Sequence, residues 1–80
     1  MEDFAKKIGR MVRFHRKKAR LSQKELAEFS EIGKTAVFDI EKGKPTVRLS
    51  TLLAVLSILN IRMKFGGPLM DRFGEEDEKG

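Results

Sequence analysis

The sequence lacks cysteine, tryptophan and tyrosine, and its 80 residues include one histidine and two prolines. Without cysteine the chain can form neither a disulfide nor a thiolate zinc site, and one histidine leaves little for another metal site. That histidine, His15, lies among basic residues and is predicted to be a packed or surface side chain rather than a catalytic base. No glycine-rich phosphate-binding motif occurs. We therefore expect a protein that is not an enzyme and holds no metal or cofactor.

Long hydrophobic runs are also missing. The longest, at 52–56, is far shorter than the roughly 20 residues that a membrane-spanning helix needs. The N-terminus lacks the apolar stretch of a signal peptide. Eighty residues support one small core and no second domain core. The sequence thus predicts a soluble, cytoplasmic protein that does not span a membrane.

Positive charge is in excess and is unevenly distributed. Lysine and arginine number 17 against 12 aspartates and glutamates, for a net charge of +5. Residues 1–20 contain eight basic and two acidic side chains, whereas residues 71–80 contain two basic and five acidic ones. This pattern favours a polyanionic partner for the N-terminal part of the chain. The alternative is a basic amphipathic helix that binds an anionic membrane surface.

Two helices are predicted in the first 30 residues. Apolar residues recur at helical spacing over 4–19, and most lysines and arginines lie off that stripe. Ser22 and Glu25 have the spacing of a capping box, in which each side chain accepts from the other residue's amide. A second helix is therefore predicted over 23–30.

Two more helices follow. The third is predicted to begin at Gly33 or Lys34 and to end at Lys42, with Gly43 as the stop. The fourth, over about 49–59, has a broad leucine-rich face that is expected to supply much of the core.

A change of period follows the fourth helix. Ile61, Met63 and Phe65 alternate with basic residues, as in a half-buried strand, and the glycines and proline at 66–68 would stop it. Since no second strand is visible, the segment is predicted to pair with its copy across a two-fold axis, which makes a homodimer. The alternative is a C-terminal extension that packs on its own chain. Residues 71–80 are acidic and are predicted to be disordered.

A basic helix followed by two short helices and a tight turn has the ingredients of a helix-turn-helix. The residues that carry a family resemblance are LSQKELAE at 21–28, then Ile32, Val37, Ile40, Glu41 and Gly43. Over about residues 8–60 the chain resembles the Xre/Cro-type helix-turn-helix family of phage and bacterial repressors. The continuation GKPTVRLSTLL at 43–53, with LNIRM at 59–63, resembles more narrowly the HipB-type antitoxins.

The resemblance implies an all-α fold, a compact lambda-repressor-like bundle of four to five helices with a short C-terminal β-strand that pairs across a homodimer. With it we expect a DNA-binding domain at 1–60 and a dimerisation strand and stop at 61–70, and composition adds an acidic tail at 71–80. The implied function is that of an antitoxin that represses its own operon at a palindromic operator and binds a HipA-type kinase toxin. The alternative is a stand-alone phage or plasmid-type Xre repressor.

By this resemblance the base-reading residues are Gly33, Lys34, Thr35, Phe38 and Asp39. Lys34 can donate to guanine O6 or N7, and the apolar groups of Thr35 and Phe38 can contact a thymine methyl. Alternatively, Lys34 contacts only phosphate. Asp39 either accepts from cytosine N4 or discriminates against wrong sequences.

The residues expected at the DNA phosphates are Gln23, Arg20, Lys42 and Lys44. Alternatively, Gln23 is simply a favourable first residue of its helix, and the lysines are ordinary solvated charges. Arg16 and Glu41 match a family ion pair that clamps the first helix to the end of the third, so a structural role is expected for both.

The chain departs from the family pattern in the turn between the second and third helices. Glu31 stands where a glycine is usual, and a left-handed non-glycine residue costs on the order of 1 kcal/mol. Ser30 stands where an apolar residue usually fills the core, and the neighbouring Phe29 could rotate inward to replace it.

Overall fold

The protein is described by a computed structural model over residues 3–79, and these residues form five α-helices and no β-strand. The helices are α1 (Phe4–Lys18), α2 (Gln23–Ser30), α3 (Lys34–Lys42), α4 (Leu49–Ile58) and α5 (Met70–Lys79). The prediction of an all-helical domain is confirmed. No helix within 3–79 combines the length and the apolarity that crossing a lipid bilayer requires.

The core lies where the first four helices meet. Its buried hydrophobic side chains are Val12, Leu26, Ala27, Val37, Ile40, Val55 and Leu56. Burying a valine, leucine or isoleucine side chain contributes about 1.5–3 kcal/mol to stability. None of the six phenylalanines is in this core, and the least exposed of them, Phe38, is 45% exposed. The fold therefore depends on small aliphatic side chains and leaves its aromatic side chains on the surface.

The boundaries of α2 and α3 follow the predicted local signals. Ser22 Oγ accepts from the Glu25 amide at 3.0 Å, and a Glu25 carboxylate oxygen accepts from the Ser22 amide at 2.9 Å. This confirms the capping box. Gly43 ends α3 in the left-handed region at φ 82°. Glu31 also adopts a left-handed conformation, at φ 57° and ψ 42°, so the turn keeps its geometry although the residue is not glycine.

Ser30 is buried, with 8% of its surface exposed, and its hydroxyl has no hydrogen-bond partner among the described residues. Phe29 does not fill the core in its place, because 60% of its surface is exposed. A buried hydroxyl without a partner loses its hydration and gains nothing in return. The serine is therefore a destabilising feature at the end of α2.

Replacing this serine by alanine is expected to stabilise the fold. Ser30→Ala removes the unpaired hydroxyl and should raise the free energy of unfolding by about 1 kcal/mol. Urea unfolding of the variant measures the change. Ser57→Ala is the control for helix propensity, since Ser57 is an exposed serine in α4. An equal gain in both variants would show that the burial of Ser30 is not the cause.

Gly9 permits a close approach of α1 to the end of α3. A Cβ atom at this position would lie 2.5 Å from the Ile40 carbonyl oxygen and 2.7 Å from that of Glu41. Both contacts are with backbone, which cannot rotate away as a side chain could. The glycine therefore sets the distance between the two helices.

Gly9→Ala is expected to destabilise the protein. The added methyl group must push α1 away from α3, and such overpacking typically costs about 1–3 kcal/mol. Thermal unfolding measures the loss. Gly74→Ala, in the exposed helix α5, has open space around it and should leave the melting temperature unchanged or higher. Equal melting temperatures for wild type and Gly9→Ala would contradict the close approach.

The predicted strand at Ile61, Met63 and Phe65 is not supported, because residues 61–67 are irregular and carry no ladder hydrogen bond. A β-ladder requires a second strand, and the described residues contain none. Ile61 is half-buried against the core, whereas Phe65 is 75% exposed. The predicted pairing of two such strands across a homodimer is therefore not supported.

The predicted disordered tail also differs from the structure, which has α5 in its place. The segment is rich in glutamate and other helix-favouring residues, with Asp71 in the first turn and Lys79 in the last, where each complements the helix dipole. Arg72 and Glu76, four residues apart, form an ion pair at 3.3 Å. The acidic composition of the segment is typical of disorder, but the positions of its charged residues along the chain favour a helix.

Candidate nucleic-acid interface

The first turn of α3 projects from the surface. Lys34 and Thr35 are exposed there, while Val37 and Ile40 on the opposite side are buried in the core. Gly33 precedes the helix without a side-chain cap, and no atom lies within 4 Å of the place where its Cβ would be. The start of α3 is therefore an exposed ridge with open space around it.

A cluster of hydrogen-bonded side chains connects α1, α2 and α3 beneath this surface. Arg16 Nε donates to Glu41 Oε2 at 2.6 Å, and Arg16 Nη2 donates to Glu41 Oε1 at 3.0 Å. The Arg16 and Glu41 side chains are only 11% and 5% exposed. Arg16 Nη1 also donates to the Leu21 carbonyl at 2.9 Å, and Gln23 Nε2 donates to Glu41 Oε1 at 3.3 Å. The hydrogen bonds that Arg16 donates to Glu41 raise the pKa of Arg16 above its ordinary value, so the guanidinium stays charged.

A depression of about 500 Å³ lies on one side of α3, above this cluster. Its lining includes Arg13 from α1, Gln23 from α2, and Phe38 and Lys42 from α3. Lys42 Nζ lies 5.2 Å from the centre of the Phe38 ring, at the distance of a cation–π contact. This side of the ridge is therefore cationic, and three helices contribute to it.

A second depression, of about 330 Å³, lies on the other side of α3. Its lining includes Gly33 and Asp39 of the α3 segment and Lys44 and Arg48 of the following loop. Lys44 Nζ is 3.6 Å from a carboxylate oxygen of Asp39, and the two side chains are 55% and 29% exposed. Asp39 thus has a lysine partner within the chain, which sequence patterns did not indicate.

The structure brings most of the predicted site residues onto this surface. Gln23, Phe38 and Lys42 share one depression, and Gly33, Asp39 and Lys44 share the other. Arg20 is exposed in the turn between α1 and α2, with a left-handed backbone at φ 60°, and lines neither depression. Arg13 and Arg48 were missed, because only their position in the fold separates them from the chain's other basic residues.

The exposed helix α3, held against α2 by a tight left-handed turn, defines a helix-turn-helix domain. The helix-turn-helix family is matched over residues 12–65. The chain is also 38% identical over 61 residues to the uncharacterized HTH-type transcriptional regulator y4mF of Sinorhizobium fredii (strain NBRC 101917 / NGR234), a match that covers 76% of this chain and 80% of that protein. The protein therefore belongs to the Xre-type helix-turn-helix family and is a homologue of a transcriptional regulator.

Proposed function

We propose that the protein is a sequence-specific repressor that binds double-stranded DNA with α3 in the major groove. The observation that carries this proposal is the exposed first turn of α3, together with basic side chains in the depressions on the two sides of this helix. The major groove admits one α-helix, and the phosphates on its two edges then lie beside that helix. A ridge with positive charge on both sides is complementary to this shape.

Base reading is assigned to the exposed residues of α3. Lys34 donates to guanine O6 or N7, and Thr35 and Phe38 contact thymine methyl groups. Asp39 already pairs with Lys44, so we assign it to positioning that lysine and to opposing wrong sequences.

The phosphate contacts are assigned to residues around the ridge. They are Arg20, Gln23, Lys42 and Lys44, together with Arg13 and Arg48. The hydrogen bond to Glu41 orients Gln23 at the start of α2. If a dimer neutralises about eight phosphates, log K against log salt falls with a slope of about −7.

The phosphate role of Lys42 predicts a loss of affinity that does not depend on sequence. Lys42→Gln keeps a long side chain over Phe38 but removes the charge, so binding to all DNA should weaken by a similar factor. The salt slope should become shallower by about 1 per protomer. Titrations at several salt concentrations measure both effects. Lys79→Gln in α5 should change neither, and a loss confined to one DNA sequence would contradict the assignment.

A homodimer with its two α3 helices on neighbouring half-sites completes the proposal. The segment 61–65, exposed from Arg62 onward, would pair with its copy in an antiparallel ladder that gives partners to the backbone groups of 62–65. Half-sites about one helical turn apart would match the two-fold symmetry of the dimer. The resemblance at 59–63 to the strand of HipB-type antitoxins supports this arrangement.

Recovery of bound fragments from the protein's own source DNA tests the repressor proposal. We expect one inverted repeat, upstream of the protein's own gene, to be enriched at about 150 mM salt, where weak non-specific binding is suppressed. Saturable binding to anionic vesicles, comparable to DNA binding, would favour the membrane alternative through α1. No enriched sequence would contradict sequence-specific binding.

We further propose that the protein is the antitoxin of a HipBA-like operon and binds a kinase-type toxin. The resemblance of 43–53 and 59–63 to HipB-type antitoxins supports this role. The neighbouring gene tests it, since an adjacent kinase-like protein that co-purifies with the chain is the expected result. An isolated gene would favour a stand-alone phage or plasmid-type regulator.

A further inference from the structure

The surface next to α1 contains an open apolar groove of about 420 Å³, which we call the α1 groove. Its apolar lining includes Ile8, Met11, Leu56, Ile61, Met63 and Phe65. Met11 and Met63 are each 39% exposed, and Phe65 is 75% exposed. These side chains give the groove an apolar floor that an apolar partner could cover.

The rim of the α1 groove is positively charged. Lys7 on α1 and Arg62 and Lys64 on the opposite wall all line it. Within residues 3–79 none of these three cations forms an ion pair with an acidic side chain. The groove therefore suits a partner with an apolar stripe flanked by negative charge.

Helix α5 has these properties and is largely exposed in the single chain. It has no buried residue, and Phe73 and the preceding Leu69 are 56% and 68% exposed. The spacing from Leu69 to Phe73 places both side chains on one face of the helix, and the next turn on that face carries Glu76 and Asp77. The ten residues of α5 span about 15 Å, and Leu69 and Phe73 lie about one turn apart near its start.

The proposed strand pairing would bring these two surfaces together between copies. In an antiparallel pair, the end of one strand lies beside the start of the other. The chain that leaves segment 61–65 would therefore reach its partner, with the short segment 66–68 as the connection to α5. The chain's own α5 does not line its own groove.

We propose that α5 of each protomer docks in the α1 groove of a second copy, as a reciprocal exchange. The apolar side chains of α5 cover the floor of the groove, and its acidic turn meets the cationic rim. The exchange rests on the homodimer proposed above and adds a second contact to it. It also assigns a role to the acidic C-terminal segment, which is to stabilise the dimer.

Disulfide trapping tests the exchange, because the natural chain has no cysteine to interfere. Met11→Cys places a thiol in the groove, and Phe73→Cys places one on α5. The two single variants are mixed, unfolded and refolded together, then oxidised. We expect a disulfide between the two variants. Lys24→Cys, at an exposed position of α2, is the control partner and should form no disulfide with Phe73→Cys.

Two further variants separate the possible failures. Met63→Cys, at the centre of the proposed strand, should form a disulfide with its own copy if the strands pair. If the Met63→Cys disulfide forms but no disulfide links Met11→Cys of one chain to Phe73→Cys of another, the exchange is overturned and the strand dimer is retained. A Met11→Cys/Phe73→Cys double variant that cross-links only within one chain would also overturn the exchange. A monomer without any cross-link would overturn both proposals.

A substitution without cysteine provides an independent measurement. Phe73→Ala should raise the dimer dissociation constant at least tenfold, as measured by analytical ultracentrifugation. Glu75→Ala is the control on the same helix and should have a much smaller effect. Equal dissociation constants for wild type and Phe73→Ala would overturn the exchange, whatever the state of the strands.

Discussion

Lys34→Ala combined with Thr35→Ala is expected to abolish the preference of the protein for its operator. Each base contact contributes about 1–3 kcal/mol of discrimination, and a dimer makes both contacts in each half-site. Affinity for the operator should therefore fall at least about 100-fold, since about 1.4 kcal/mol corresponds to a factor of ten. Binding to non-specific DNA depends mainly on phosphate contacts, so the affinity of the variant for such DNA should fall much less.

The fold should tolerate this double substitution. Both side chains are exposed on the first turn of α3, and alanine is a better helix former than threonine. The melting temperature is thus expected to remain at or above that of the wild type. Lys24→Ala with Glu28→Ala, two exposed positions on α2, is the matched control and should retain operator binding. A double variant that still selects the same sequence would show that α3 does not read bases.

Arg16→Ala is expected to unfold much of the protein. The Glu41 side chain is only 5% exposed in the intact protein, and the substitution removes its bidentate guanidinium partner. Removing one member of a buried pair typically costs about 3–5 kcal/mol, which is a large fraction of the 5–15 kcal/mol that stabilises an average domain. The Leu21 carbonyl would also lose its hydrogen bond from Arg16. Urea unfolding at neutral pH measures the loss.

Two comparisons separate this effect from a general loss of charge. Arg72→Ala breaks the exposed pair with Glu76, whose side chains are 73% and 67% exposed, and should cost well under about 1 kcal/mol. Replacing both buried partners, as Arg16→Met with Glu41→Leu, should cost less than the sum of the single changes, because no charge remains unpaired. Additive losses would contradict a coupled pair.

Local sequence signals were sufficient to predict the first four helices. The capping box at Ser22 and the glycine at 43 each act on neighbouring backbone, so their effects can be inferred without a three-dimensional structure. Glu31 also fits this rule, since the position requires a left-handed residue whatever its side chain. The family resemblance then indicated which exposed helix to expect at the DNA.

Contacts between distant parts of the chain could not be predicted in the same way. The hydrogen bond from Gln23 to Glu41 joins α2 to α3, and the proximity of Arg13 to Lys42 depends on how α1 crosses α3. The segment 61–65 shows a related limit. Its alternating pattern indicates a strand, but a ladder needs a partner that the single chain does not contain. The acidic composition of 71–79 is typical of disorder, whereas its helix-favouring residues form α5.

The exposed phenylalanines indicate how much of the surface is left for partners. All six have at least 45% of their surface exposed, and they are distributed over α1, α2, α3, α5 and the segment after α4. Phe38 lies on the proposed DNA surface, whereas Phe65 and Phe73 belong to the two surfaces of the proposed exchange. Phe29, which is 60% exposed, belongs to neither surface.

Substitution of single purines in the operator by their 7-deaza analogues tests the central claim most directly. Each substitution removes one N7 acceptor from the major groove and leaves base pairing intact. We expect at least one position per half-site where the wild type loses about tenfold in affinity and Lys34→Ala loses nothing further. Equal losses for both proteins at every position, or no loss for the wild type anywhere, would contradict major-groove reading by Lys34.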